Sequence, residues 1–331
     1  MPERNLQSAH LPIVRSAQTV SGIMLNVIIA LIPALAASVW LFGPRVLLIC
    51  LVTIGTCMLS EYLSRKIMKR SNTLGDLSAV VTGLLLAFNL PVSIPLWQAA
   101  IGSVIAIVVV KQTLRRNRPE LRQPRDNPEE SFSWSRSRPP MTTWIKPLSW
   151  LDKGAEAVTT ATPLTMLTKG GELSDGLPSL VDMLIGIRGG SLGETCAVAL
   201  IIGGVYLMIR KIISPAIPLS FIGTVAVIML IAGKGSFTFV AYQLLSGGLM
   251  LGAFFMATDY TTSPINLKGR IIFGIGCGLL TSFIRLFGSL PEGVSFSIIL
   301  MNILVPHIEH LTTPKPFGTV KEKKKKGAEK A

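Results

Sequence analysis

Long apolar runs are the feature that most constrains how this chain can fold. A segment needs about 20 apolar residues to cross the hydrocarbon core of a bilayer, and it must satisfy its backbone hydrogen bonds internally, which restricts such spans to helices. The run that begins beside Asp76 is short, so its limits are the least defined. The sequence predicts an all-α integral membrane protein with these nine readable spans: 23–42, 46–63, 77–91, 96–112, 192–209, 215–233, 238–257, 271–287 and 294–311.

The composition agrees with a membrane protein and argues against a nucleic-acid partner. Of the 331 residues, 49% are hydrophobic and only 15% are charged, which is too little charge for a soluble surface of this size. The net charge is +14, but the basic residues lie at the ends of apolar runs or in the C-terminal tail. Cytoplasmic lysine and arginine beside membrane spans account for them. The four cysteines lie inside apolar runs without a CxxC pair, so the pattern indicates no metal site.

The basic clusters predict the topology and indicate that a span is missing. With nine spans, the clusters in the second half of the chain would lie outside, against the preference of such clusters for the cytoplasm. One more crossing between residues 112 and 192 brings all of them inside. We therefore expect about ten helices, arranged as two inverted five-helix halves, with both termini cytoplasmic. The clusters lie at residues 4–15, 65–70, 111, 210–211, 268–270 and 323–326.

The segment 113–143 occupies the place of the expected span but cannot form one. It reads TLRRNRPELRQPRDNPEESFSWSRSRPPMTT, and charged side chains are costly inside a bilayer. One hypothesis is that this stretch was translated in the wrong reading frame. The alternative is a genuine basic cytoplasmic insertion.

The loop after this segment contains the stretch EAVTTATP (156–163), which carries a chemical signal. It resembles the motif D-x-x-[ST]-x-A-[ST], in which a flavin transferase joins FMN to a hydroxyl through a phosphoester. The aligned acceptor is Thr162, while Thr159 and Ala161 supply small side chains on an accessible loop. Glu156 departs from the aspartate that is usual there. A threonine-rich turn before proline, with no cofactor, is the alternative reading.

Eight further segments resemble the D subunit of the Rnf electron transport complex, in family order. This family is shared with the B subunit of the sodium-translocating NADH:quinone reductase. The family has a Gly-rich apolar fifth helix where this chain has 113–143. The matching segments are 23–43, 77–91, 190–208, 218–221, 244–264, 268–274, 284–288 and 291–306.

The resemblance implies a membrane flavoprotein subunit of an ion-translocating ferredoxin:NAD oxidoreductase, which is not an enzyme alone. Electrons would pass through FMN bound covalently to Thr162, coupled to Na⁺ or H⁺ transport, and a second, noncovalent flavin is also compatible. The implied partners are the flavin-carrying G subunit, the A and E membrane subunits, iron–sulfur and NAD-binding subunits, a flavin transferase and membrane lipid. The implied location is the inner (cytoplasmic) membrane of a bacterium or archaeon. An inverted-repeat channel or transporter, or a structural membrane subunit without a redox role, remains the alternative.

Ionisable residues at the span ends add candidate sites. Asp76 and Asp259 lie beside Gly/Ser/Thr-rich segments, where an ion path, a cofactor contact or simple packing would each explain them. Glu61 and Glu292 fit snorkelling or salt bridging at a membrane boundary, and Arg285 lies near the end of a span. The predicted division of the chain is a first membrane half (1–112), the anomalous segment (113–143), an extracytoplasmic flavin-attachment loop (144–191), a second membrane half (192–311) and a basic cytoplasmic tail (312–331).

Overall fold

The structure is a computed structural model and confirms the predicted all-α membrane architecture. Among the residues that the structure describes, four helices are long and apolar enough to cross a membrane, and a bent helix pair forms a fifth candidate span. Four more apolar helices are shorter, so the number of crossings stays a prediction. The structure describes residues 19–69, 74–108, 142–144, 158–160, 164, 167, 177–188, 190–259, 262–288 and 292–312.

The described part of the first half contains four α-helices, and each predicted span in it coincides with one of them. The helix α1 begins after Thr19, whose hydroxyl accepts a hydrogen bond from the backbone N–H of Gly22, and it ends at Gly43. A positive φ of 82° at Gly43 turns the chain directly into α2. Both α3 and α4 pack against α2. The bounds are α1 Val20–Phe42, α2 Arg45–Ile67, α3 Ser78–Phe88 and α4 Leu96–Ile105.

The second half repeats this packing pattern, because α7 contacts both α8 and α10. Such a correspondence is what two related halves would produce, although their inverted orientation stays a prediction. The helix α9 continues into a wider π turn over Gly252–Met256. The bounds are α5 Leu180–Ile185, α6 Ala197–Ile209, α7 Ala216–Ala232, α8 Phe237–Leu245, α9 Leu249–Leu251, α10 Leu267–Phe287 and α11 Val294–Thr312.

The two halves meet where α1 packs against α6. A methyl group on Gly203 would collide with the carbonyl oxygen of Ala30, so only glycine permits this approach. One turn further on, the hydroxyl of Tyr206 donates a 2.8 Å hydrogen bond to Oδ1 of Asn26. Gly203 therefore serves the close helix packing that glycine allows inside membrane proteins.

The predicted span 238–257 is wrong as a continuous helix, because it breaks at Ser246–Gly248. The segments on either side, Phe237–Leu245 and Leu249–Met256, are bent by 68°. Ser246 is extended, with ψ 147°, and Gly247 has a φ of 67°. Gly247 and Gly248 therefore form a break in the helix, and close packing of an unbroken span does not explain them.

A small antiparallel pair of strands lies in the chain between the halves. The strand β1 (Thr142–Trp144) pairs with β2 (Val158–Thr160), and Thr143 lies opposite Thr159. This pairing was not predicted from the loop sequence. It places Thr159 of the flavinylation-like stretch in regular backbone structure.

Candidate functional site

The structure describes the strand β2 within the flavinylation-like stretch and the residue directly after the stretch, Leu164. Thr162 itself lies outside the described residues, as do Glu156 and Ala161. Thr159 lies in β2. On the other side, Leu164 is buried, with 6% of its surface exposed, and belongs to the hydrophobic core.

Leu164 reaches the helix break between α8 and α9. A methyl group on Gly247 would lie 3.2 Å from Cδ2 of Leu164, 3.3 Å from Nη2 of Arg285 and 3.8 Å from Cγ of Glu292. The left-handed backbone of Gly247 is costly for any residue with a Cβ. Leu164, directly after the flavinylation-like stretch, therefore contacts a break that borders charged side chains.

Four charged residues, which we call the charge cluster, surround this break: Arg188, Glu194, Arg285 and Glu292. The two arginines and Glu194 are each at most 7% exposed, and Glu292 is half-buried. They come from the α5–α6 loop, the last turn of α10 and the α10–α11 loop. Oε1 of Glu194 lies 3.0 Å from the position of a methyl group on Gly248. The break and the cluster thus form one site.

Both arginines donate hydrogen bonds to groups other than carboxylates. Arg188 Nη2 donates to the carbonyl oxygen of Glu194 at 2.6 Å. Arg285 Nη1 donates to the carbonyl oxygen of Gln243 at 2.6 Å, and its Nη2 to that of Ser246 at 3.2 Å. In both side chains Nε is buried without a hydrogen-bond partner among the described residues. The guanidinium groups therefore stabilise the end of α8 and the α5–α6 loop while contributing positive charge to the site.

The two carboxyl groups of the cluster interact with each other. The charge of Glu194 raises the pKa of Glu292 well above its usual range, burial raises it further, and a hydrogen bond to Glu194 adds to the shift. Arg285 and Arg188 oppose this rise without cancelling it. Burial lowers the pKa of Arg188 to about 10, so this arginine stays charged at neutral pH. Like charges at close range favour a protonated carboxyl.

The loop that carries Glu194 is fixed by the first half of the protein. The backbone N–H groups of Leu192 and Gly193 donate to the carbonyl oxygens of Leu90 (3.2 Å) and Phe88 (2.8 Å). The hydroxyl of Ser38 donates to the carbonyl oxygen of Leu192 at 2.6 Å. A side chain on Gly193 would collide with the ring of Phe88, so glycine is required there. The position of Glu194 therefore depends on α1 and α3.

Sequence reasoning found only part of this cluster. The sequence places Arg285 near the end of a span without a specific role, and it predicts that Glu292 snorkels or forms a salt bridge at a membrane boundary. In the described structure Glu292 instead faces Glu194, and neither cluster arginine forms an ion pair within 4.0 Å of it. Arg188 and Glu194 were missed. The available signal was that these two charges flank the glycine-rich stretch 189–193 at the start of an apolar run.

The other ionisable candidates, Glu61, Asp76 and Asp259, have local surroundings of their own. Nε of Arg65 lies 3.4 Å from Oε1 of Glu61 within α2, which confirms the salt-bridge interpretation of Glu61. Asp76 ends the 3₁₀ turn before α3 and is partly buried. Asp259 follows the π turn and accepts a 3.3 Å hydrogen bond from the hydroxyl of Thr262. An ion-path role for Asp76 and Asp259 stays a prediction.

Comparison with known proteins decides the family. The profile of the family described as NQR2, RnfD, RnfE matches residues 7–114 and 131–318. The chain belongs to this family. The NQR2, RnfD, RnfE profile leaves residues 115–130 unmatched, and all of them fall within the anomalous segment 113–143.

Relatives within the NQR2, RnfD, RnfE family match this chain over nearly its whole length. It is 42% identical to the D subunit of the Na⁺-translocating ferredoxin:NAD⁺ oxidoreductase complex of Acetobacterium woodii, over 98% of this chain and 99% of the relative. It is 40% identical to the D subunit of the proton-translocating ferredoxin:NAD⁺ oxidoreductase complex of Clostridium ljungdahlii, over 93% and 95%. The D subunit of the ion-translocating oxidoreductase complex of Escherichia coli is 33% identical, over 93% and 97%.

Proposed function

We propose that this chain is the membrane flavin subunit, the D subunit, of an ion-translocating ferredoxin:NAD⁺ oxidoreductase complex. In this proposal Thr162 carries FMN through a phosphoester, and the complex couples electron transfer to the movement of Na⁺ or H⁺. The observation that carries the proposal is the flavinylation-like stretch in a chain of this family, directly before a residue that packs into the helix break. The D subunits of Acetobacterium woodii and Clostridium ljungdahlii are named for the same type of complex.

The described residues fit a flavin attached at this position. Two residues of extended chain span at most roughly 7 Å, so a group on Thr162 starts close to Leu164 and the charge cluster. A phosphodiester carries a negative charge, which guanidinium groups such as those of Arg285 and Arg188 stabilise well. When bound, FMN supplies the electron-transfer chemistry, and the protein supplies position and electrostatics. Leu164 contacts the break, and the two arginines keep positive charge beside it.

The expected topology predicts on which side of the membrane the charge cluster lies. Glu194 lies just before α6, whereas Arg210 and Lys211 follow the other end of that helix. Likewise, Arg285 lies in the last turn of α10, whereas Lys268 and Arg270 lie in its first turn. Basic residues favour the cytoplasm, so we assign the cluster and the flavin loop to the outer side and the termini to the cytoplasm. An electron from ferredoxin then crosses the membrane to reach this loop. That displacement of charge is available to drive an ion, with Asp76 and Asp259 as candidate ion-path residues at the inner ends.

The other components of electron transfer are assigned to other subunits. NAD⁺ and iron–sulfur binding belong to partner subunits in this proposal, alongside the flavin-carrying G subunit and the A and E membrane subunits. A flavin transferase is required to attach FMN. A second, noncovalent flavin is compatible with the proposal but is not needed for it.

Covalent flavin fluorescence in a denaturing gel tests the proposal. The chain is produced with its partner subunits in a host that has the flavin transferase. We expect a fluorescent band that Thr162→Ala removes and Thr162→Ser retains, because serine keeps the hydroxyl. Thr165→Ala is the matched control, since it removes a nearby threonine outside the motif. Mass spectrometry that finds residues 156–163 unmodified in an active complex contradicts the proposal.

The broken helix favours one alternative. Discontinuous helices and paired halves are typical of transporters, whose substrate sites lie at such breaks. A channel, a transporter or a structural subunit without a redox role would show no covalent flavin. Absence of the fluorescent band in a host with an active transferase, together with solute uptake by vesicles containing this chain alone, would favour the transporter.

A further inference from the structure

The carboxyl groups of Glu194 and Glu292 both border the helix break: Oε1 of Glu194 lies 3.0 Å from the position of a methyl group on Gly248, and Cγ of Glu292 lies 3.8 Å from that on Gly247. Glu194 raises the pKa of Glu292 through its charge and through a hydrogen bond between the two side chains. An ionised carboxylate is only an acceptor, so two carboxylates cannot hydrogen-bond to each other unless one of them carries a proton. The backbone supports this arrangement, because the loop of Glu194 is fixed by hydrogen bonds to Phe88 and Leu90. The position of Glu194 beside Glu292 is therefore set by the fold.

The surroundings of the pair leave its charge without a direct counter-ion. Among the described residues, the charged groups that face it are Arg188 and Arg285. Both donate through Nη atoms to backbone carbonyl oxygens, as described above, and keep a buried Nε without a partner. The thiol of Cys196 is the other titratable group beside Arg188. Buried charges that are not directly paired are costly, and protonation is the usual relief.

We propose that Glu194 and Glu292 form one proton-binding site, which holds a single shared proton at neutral pH beside the break between α8 and α9. With one proton on the pair, the two arginines leave the cluster with one excess positive charge. Such a charge suits a nearby monoanion. The site takes a proton and no metal ion, because the two arginines lie within the same cluster and repel cations.

A second part of this inference rests on the proposed function: the glutamate pair responds to reduction of the complex. A phosphodiester on the Leu164 loop supplies the monoanion that balances the resting cluster. A flavin carried on Thr162 would gain one negative charge near the site when a reduced iron–sulfur donor passes it one electron and is itself oxidised. One proton from the outer aqueous phase then binds the remaining carboxylate, so the added charges cancel. When the electron leaves, the proton returns to the same aqueous phase.

Infrared spectroscopy of the purified complex tests the shared proton directly. A protonated carboxylic acid has a carbonyl stretch that shifts in D₂O, and a carboxylate lacks it. We expect one such band at neutral pH and its complete loss in both Glu194→Gln and Glu292→Gln. Either substitution leaves a single carboxyl beside two arginines, and that carboxyl ionises. A lone protonated acid would instead lose its band in only one variant, which would overturn the proposal.

Glu309→Gln is the matched control at the other end of α11. Glu309 lies outside the cluster and accepts a hydrogen bond from the backbone N–H of Ile265 at 3.2 Å. We expect the acid band to remain in this variant. If a cluster variant does not assemble, the pH titration of the unaltered complex decides. The band must persist well above the ordinary pKa of glutamate, about 4.3, and its absence at neutral pH would overturn the proposal.

The response to reduction has a separate readout. We expect reduction of the complex to add one acid equivalent to the band, and Thr162→Ala to abolish that gain while the resting band remains. An acid band that is present in the oxidised, flavin-loaded complex but does not grow on reduction overturns the link to reduction. That result does not overturn the shared proton on Glu194 and Glu292. An unmodified Thr162 overturns the proposed function. The shared proton is then still tested by the acid band in Glu194→Gln and Glu292→Gln.

Discussion

Cδ2 of Leu164 lies 3.2 Å from the position that a methyl group on Gly247 would occupy. This contact joins the loop of the flavinylation-like stretch to the break in the membrane helix pair α8–α9. The packing of Leu164 therefore depends on the shape of the break, which Gly247 permits.

Gly247→Ala is expected to destabilise the protein and to reduce flavin loading. The left-handed backbone costs about 1–2 kcal/mol for a residue with a Cβ, and the added methyl group presses on Leu164 and Arg285. Thermal unfolding of the purified complex and in-gel fluorescence measure the two effects. Gly223→Ala in α7 is the control, because a methyl group there meets nothing within 4 Å. Equal losses in both variants would contradict a specific role for Gly247.

The Tyr206–Asn26 hydrogen bond is expected to stabilise the contact between the two halves modestly. Tyr206→Phe removes the donor of the 2.8 Å bond. Hydrogen bonds between membrane helices contribute on average about 0.6 kcal/mol. A double-mutant cycle with Asn26→Ala, measured by unfolding in mixed detergent, should give a coupling energy of about that size. A coupling energy indistinguishable from zero would mean that the bond does not hold α1 to α6.

The stability of the folded chain is expected to fall as pH rises, through Glu292. Glu194 raises the pKa of Glu292 in the folded state, so the folded state keeps a proton that the unfolded chain releases above about pH 4.3. This contribution to the free energy of unfolding is complete below that pH. It is lost as pH rises toward the pKa of the folded state, by at most about 1.4 kcal/mol per pH unit.

Glu292→Gln should flatten this dependence, because glutamine does not titrate. Unfolding midpoints measured across a pH series give the slope, with Glu309→Gln as the variant that retains it. A slope that is unchanged in Glu292→Gln would assign the pH dependence to another group.

Peptides from the protein as made in its own cells should differ from the present sequence across 113–143. The family profile matches the chain on both sides of 115–130 but not within it. The Acetobacterium woodii relative aligns over 99% of its own length with 98% of this chain, so the segment takes the place of relative sequence and does not lengthen the chain. We propose that the true segment is apolar and forms the missing span. Mass spectrometry that recovers the Arg-rich peptides of 113–143 would support a genuine basic segment.

The sequence predicted the helices well and the site only in part. Each of the nine apolar runs coincides with a helix or with the bent pair, because span length and hydropathy are local properties of the chain. The break at Ser246–Gly248 was missed, since two glycines in an apolar run are equally compatible with close packing of a continuous helix. Only Arg285 and Glu292 of the charge cluster were candidates from the sequence, because tertiary packing alone brings Arg188 and Glu194 to the same break.

The hydrogen bonds from Leu192 and Gly193 to Leu90 and Phe88 tie the start of α6 to the end of α3. A carrier that exposes its substrate alternately to each side by rocking one half against the other would have to rupture these bonds in every cycle. The described halves are instead braced against each other at the level of the glutamate pair. In the proposed function, electrons, protons and small ions would move while these contacts between the two halves stay closed.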